Sequence, residues 1–141
     1  MKVLLASDGS KNSLHAGDYI VKLARLGIQL QVTVMSVVPF TQDMATFLGV
    51  NRDEYYRLAE MRTRPIFSKY EEMFNLIDTI QVDYVTEQGQ IAERIVKKAE
   101  SGNYDQIVLG ARGLSNIKEL VLGSVSHKVV QLSKCPVVIV K

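Results

Sequence analysis

Short apolar runs alternate with helical periods along the whole chain, and this alternation leaves few folds open. Residues 3–6, Val3-Leu4-Leu5-Ala6, form an apolar run that stops at Asp8-Gly9. A run of that length ended by a turn signal predicts a buried strand. A helical pattern follows. Ser10 is placed as its N-cap, Ala16, Ile20, Leu23 and Ala24 share one face, and Gly27 stands where a glycine ends a helix. Leu30, Val32 and Val34 then alternate with Gln31 and Thr33 and lead into Val37-Val38. This second strand ends at Pro39, which cannot donate to a ladder.

Positions 40–50 read as a loop. From about 51 to 76 charges mix with Tyr55, Leu58, Met61, Ile66, Tyr70, Met73 and Phe74. The pattern predicts a helix broken or kinked at Pro65. A third strand is predicted over 80–85. After Gly89, Ile91, Ala92, Ile95, Val96 and Ala99 line one helix face, which Gly102 closes. A fourth strand over 106–109, a loop from 111 to about 118, a last helix over about 124–133 and a fifth strand over 136–140 complete the order.

That order is β-α-β-α-β-α-β-α-β. It implies an α/β fold with parallel strands, right-handed crossovers and helices on both faces of one doubly wound sheet. The 141 residues suit a single domain over 1–141. The 47% hydrophobic content is enough for one buried core. A net charge of +2, with acids and bases interspersed, argues against a nucleic-acid partner. The opening apolar run is too short for a signal peptide or a membrane span, so no membrane association is expected and a cytoplasmic location is. Cys135 is the single cysteine, which excludes an internal disulfide.

In an open sheet of this kind ligands bind outside the carboxyl ends of the strands, where the strand order reverses. The richest of these ends follows the fourth strand. Gly110 comes directly after it, Gly113 three residues on, and Gly123-Ser124 opens the last helix. Glycines let a backbone approach a ligand closely. A helix start offers unpaired N–H groups and a partial positive charge. Ser124 and Ser126 add hydroxyls and Arg112 a permanent cation, so segment 110–126 has the parts of a phosphate site. A charge at a helix end contributes only about 0.3–1 kcal/mol, whereas micromolar affinity needs about 8 kcal/mol. A pocket for the rest of the ligand must supply the difference. Neither a G-x-x-x-x-G-K-[ST] loop nor a G-x-G-x-x-G after a strand occurs.

The spacing G-x2-G-x9-G-[ST], read as Gly110, Gly113, Gly123 and Ser124, resembles the ATP-binding signature of the universal stress protein family. The opening run 3–10 and the closing run 135–140 are similar to that family's first strand with its acidic turn and to its last strand. The resemblance covers the whole chain. It implies a three-layer, five-stranded parallel sheet of order 3-2-1-4-5, the adenine nucleotide alpha-hydrolase-like fold, in a homodimer. It also implies ATP at the carboxyl ends of the first and fourth strands. By position, Asp8 and the backbone at Ala6 and Val38 would flank adenine and ribose, with Ser7 and Leu109 beside them. Gly110 would lie near the sugar. Gly113, Gly123, Ser124, Val125 and Ser126 would hold the phosphates, with Mg2+ or Mn2+ on the phosphates rather than on protein ligands. Arg112 falls at a variable position of the signature.

Simpler roles stand beside these. Ser124 reads as an N-cap as well as a ligand, Asp8 as a cap of the first helix, and Arg112 as a solvated cation. His15 and His127 lack a neighbouring cysteine or acid at ligand spacing and read as structural. Cys135 reads as a packed thiol. Residues 137–140 form an unbroken apolar run on what would be an edge strand, which invites pairing with a second copy. No positioned base, nucleophile or metal cluster accompanies the phosphate site. The first functional expectation is therefore an ATP-dependent stress-signalling module with an unidentified protein partner, contacted through the dimer or loop 112–118. A slow Mg-dependent ATPase or phosphotransferase and a nucleotide-free adapter are the alternatives. A response-regulator receiver would need an acceptor aspartate where Thr86-Glu87-Gln88 stands.

Overall fold

The structure, a computed structural model, describes residues 1–114 and 122–141. Its elements are β1 (Lys2–Ala6), α1 (Lys11–Arg25), β2 (Leu30–Val38), α2 (Gln42–Leu48), α3 (Arg52–Phe74), β3 (Ile80–Gln88), α4 (Ile91–Ser101), β4 (Gln106–Gly110), α5 (Ser124–Leu132) and β5 (Val137–Val140). The five strands form one sheet in the order β3-β2-β1-β4-β5, and every pairing is parallel.

The two-residue period of β1 divides the core. Val3 and Leu5 face α1 and α3, packing with Ile20, Tyr70 and Phe74. Leu4 and Ala6 face α4 and α5, packing with Ile95, Val96 and Val129. The sheet is therefore covered on both faces, and β1 lies at its centre with Val3, Leu4 and Leu5 fully buried. This explains why its sequence is continuously apolar rather than alternating.

Three local expectations are corrected. The loop expected over 40–50 contains α2. Thr41 caps it, its side chain accepting from the Met44 amide at 3.2 Å, and Gly49 ends it with φ of 65°. Met44, Phe47 and Leu48 remain exposed, so α2 carries no buried stripe that periodicity could reveal. The helix expected to be broken or kinked at Pro65 is not broken there: it runs continuously from Arg52 to Phe74. Pro65 is exposed, and the carbonyl that loses its helical partner belongs to Met61, another exposed residue, so the missing bond is not buried in the core. Asn51 and Glu54 start this helix with a reciprocal capping box. The third strand extends past 85 to Gln88, because β2 pairs with it residue by residue up to Val38. Neighbouring backbone holds these polar positions in the ladder against weak strand propensity.

Among the described residues no helix is long and apolar enough to cross a membrane.

Candidate functional site

After β1 the chain crosses to the α1 face, and after β4 to the α5 face, although β1 and β4 are adjacent. This is a topological switch point, and a cleft of about 180 Å³ opens there. One wall is apolar, formed by Met35, Val37, Ile91, Ile95 and Leu109. The opposite wall is polar: Asp8, Arg112, Gly113 and the start of α5 at Gly123 and Ser124. Ala6, Ser7, Gly110, Val125 and Ser126 complete it from the sequence-derived set, with Ser13 and Leu114 added.

The three signature glycines are bare for different reasons. A Cβ on Gly110 would stand 2.7 Å from the Asn12 carbonyl carbon and 2.8 Å from the Ser13 nitrogen. Gly110 thus lets the first turn of α1 lie directly on β4. A Cβ on Gly113 would collide with Oδ2 of Asp8. Gly123 differs. Its φ is −69°, which any residue adopts, and among the described residues a Cβ there would meet nothing closer than the Arg112 Cα at 3.5 Å. Neither the backbone conformation nor packing against the described residues requires a glycine at 123.

Gly123 is the N-cap of α5, and among the described residues no side chain caps the helix. Ser124, expected as a possible cap, is instead the first helical residue and is exposed. The Gly123 amide donates to the Ala111 carbonyl at 2.8 Å, which fixes the helix start against the end of β4. The first helical bond is His127 N–H to Gly123 O, 2.9 Å, so the amides of Ser124, Val125 and Ser126 precede the ladder. The Ser126 hydroxyl is buried and donates to Gly110 O at 2.8 Å. What Ser126 offers the cleft is its backbone.

Asp8 does not cap α1; Ser10 does, its Oγ accepting from the Ser13 amide at 3.3 Å. The Asp8 carboxylate accepts from the Ser10 amide at 3.0 Å and, across the cleft, from the Leu114 amide at 3.0 Å. Among the described residues no carboxylate pairs with the Arg112 guanidinium, and Arg112 is one of the residues that line the cleft. Nor is any cluster of three or more His, Cys, Asp or Glu side chains arranged to hold a metal ion. His15 is half-buried on α1 and His127 exposed on α5, and neither lines the cleft.

Val38, its backbone expected to flank adenine and ribose, is not among the residues that line the cleft. Its side chain packs with Tyr55 and Ala59, and its carbonyl accepts from the Gly89 amide at 3.1 Å. Alternation along β2 turns Val37 and Met35 to the cleft side and Val38 to the α3 side. Of loop 112–118, residues 115–118 lie outside the described residues.

A model of the universal stress protein family matches residues 1–141. The chain belongs to the universal stress protein family. It is 33% identical to universal stress protein YxiE of Bacillus subtilis, an alignment that covers 99% of this chain and 98% of that one. The solved structure of MJ0577, a universal stress protein of Methanocaldococcus jannaschii, superposes with a TM-score of 0.83 at 25% identity, over 99% of this chain and 94% of that one. A universal stress protein solved in complex with cAMP shares the fold at a TM-score of 0.64 and 23% identity, covering 100% of this chain and 96% of that one.

In this universal stress protein the sequence signature locates the polar wall, while the apolar wall comes from residues outside any motif. Met35 and Val37 belong to the β2 alternation, and Ile91 and Ile95 to the apolar stripe of α4. Those patterns mark residues as buried without distinguishing core from cleft.

Proposed function

We propose that this universal stress protein binds ATP in the β1–β4 cleft. Gly123 carries the reading: among the described residues no side chain caps this helix start, and they leave room for a side chain that the glycine does not use. A bare backbone at that point serves a ligand that needs the amides of Ser124, Val125 and Ser126. The phosphates lie there, beside Gly113 and Arg112, with Mg2+ or Mn2+ held by the phosphates. Adenine packs on the apolar wall of Met35, Val37, Ile91 and Leu109. Ribose lies near Ala6, Asp8 and Gly110. The cAMP complex supports the choice of an adenine nucleotide, since a family member of this fold holds one.

The reading favours a switch over an enzyme. Hydrolysis needs an acceptor for the proton of the attacking water. Asp8, the acid in the cleft wall, has its two carboxylate oxygens engaged by the Ser10 and Leu114 amides. ATP occupancy then biases a cytoplasmic stress-response module towards a protein partner. The module acts as a homodimer through β5, whose outer edge is unpaired among the described residues and whose four residues are each half-buried.

The purified protein, once denatured, should release an adenine nucleotide identifiable by mass, and Gly123→Val should release far less. Equal nucleotide in both would show that the pocket is misassigned. Sedimentation of a monomer at micromolar concentration would remove the dimer.

A further inference from the structure

Behind the polar wall lies a buried hydroxyl cluster that reaches the cleft from α3. Tyr70 is fully buried, and its Oη stands 2.7 Å from the Ser13 carbonyl oxygen and 2.8 Å from Ser7 Oγ. Ser7 and Ser13 both line the cleft. Their hydroxyls are 3.0 Å apart, Ser13 Oγ donates to Ser10 O at 2.8 Å, and the Gly9 amide donates to Ser7 Oγ at 3.2 Å. These bonds span the turn that carries Asp8.

The Tyr70 ring is held as firmly as its hydroxyl. A Cβ on Gly17, in the middle of α1, would stand 2.8 Å from Tyr70 Cε1 and 2.7 Å from Met73 Sδ. Glycine weakens a helix interior relative to alanine. Its presence here makes the notch in which the ring lies. Burial raises the Tyr70 pKa above the ordinary tyrosine value, outweighing the bonds to Ser7 and Ser13, so the group stays a neutral donor.

We infer that Tyr70 is a positioning residue for the nucleotide: its hydroxyl sets the β1–α1 turn, and with it Ser7, Ser13 and Asp8, in the geometry that ATP requires. This inference rests on the ATP reading above. Tyr70 itself touches no ligand, since it acts through Ser7 and Ser13 from 63 and 57 residues away in sequence.

Tyr104 supplies a control. It too is buried, and its Oη lies 2.7 Å from Thr33 Oγ1, but neither residue lines the cleft. Tyr70→Phe and Tyr104→Phe each keep the ring and lose a buried hydroxyl, the first with its contacts to Ser13 O and Ser7 Oγ and the second with its contact to Thr33 Oγ1, so both should lower Tm. ATP titration by calorimetry on the full chain separates them. Tyr70→Phe should weaken ATP binding about threefold to tenfold, the worth of one such bond, while Tyr104→Phe binds as wild type. Wild-type affinity in Tyr70→Phe, or equal weakening in both variants, overturns the positioning role. A wild-type protein that takes up no ATP overturns the ATP reading and the inference together, a result distinct from either.

Discussion

The Leu114 amide donates to Oδ2 of Asp8 at 3.0 Å, joining residues 106 apart in sequence. Because Oδ1 also accepts from the Ser10 amide, one carboxylate ties together the two turns at the switch point. The place a Cβ would take on Gly113 is filled by that same carboxylate.

Gly113 and Asp8 should therefore be strongly coupled. Gly113→Ala pushes the carboxylate off its amides and should cost about 1–2 kcal/mol, the worth of two partly exposed hydrogen bonds. In an Asp8→Ala background the obstacle is gone, and the same substitution should cost under about 0.5 kcal/mol. Urea unfolding of the four proteins measures the cycle. Additive costs would show that the contact does not govern position 113.

Gly110→Ala and Gly123→Ala should differ sharply in cost. At 110 the new methyl meets the backbone of Asn12 and Ser13, which cannot yield without shifting α1, at a cost of about 1–3 kcal/mol. At 123 the backbone already suits alanine, and a less disordered unfolded chain contributes about 0.4–1 kcal/mol. Alanine is a poorer N-cap than glycine by a similar amount, so the nucleotide-free protein should change by less than about 0.5 kcal/mol. Calorimetric melting without nucleotide checks both, and a Gly123→Ala variant destabilised as much as Gly110→Ala would show that the fold itself needs this glycine.

Pro65→Ala should stabilise the protein by about 1–3 kcal/mol. The substitution restores an amide that can bond to Met61 O in mid-helix and relieves the ring clash. Pro65 is exposed, so no core packing is lost. A lower urea midpoint for the variant would contradict this.

Alkaline pH should expose the buried tyrosines. Burial, assisted by the charge of Glu71, pushes the Tyr84 pKa up from 10.0 to about 12, and burial raises that of Tyr70. A raised folded pKa means that the unfolded chain loses its proton first. The contribution is complete below pH 10 and is lost as pH rises towards 12. Among the described residues Tyr84 Oη has no hydrogen-bond partner, so Tyr84→Phe removes the Tyr84 share of this pH dependence without leaving one of them unsatisfied. Denaturant midpoints between pH 9 and about 12 should fall less steeply in that variant than in the wild type.

The layered α/β architecture, most strand and helix positions and the polar wall of the cleft were legible in the residues, because each rests on near neighbours. Periods of two and 3.6 residues distinguish strand from helix. Ser10, Gly27 and Gly102 mark helix ends, and glycines followed by a helix start mark an anion site. The strand order came from the likeness of Gly110, Gly113, Gly123 and Ser124 to a family signature, not from periodicity.

Tertiary structure alone decided what depends on distant partners. The sheet register places Val37 rather than Val38 at the cleft, and solvent exposure lets Pro65 remain inside a helix. The meaning of each glycine was settled by what lies where its side chain would be: α1 backbone at 110, Asp8 at 113 and, among the described residues, only ordinary van der Waals contact at 123. The bonds from Asp8 to Leu114 and from Tyr70 to Ser7 close over 106 and 63 residues. Local pattern carries no record of such pairs, because their geometry exists only once parallel strands bring the turns at their carboxyl ends together.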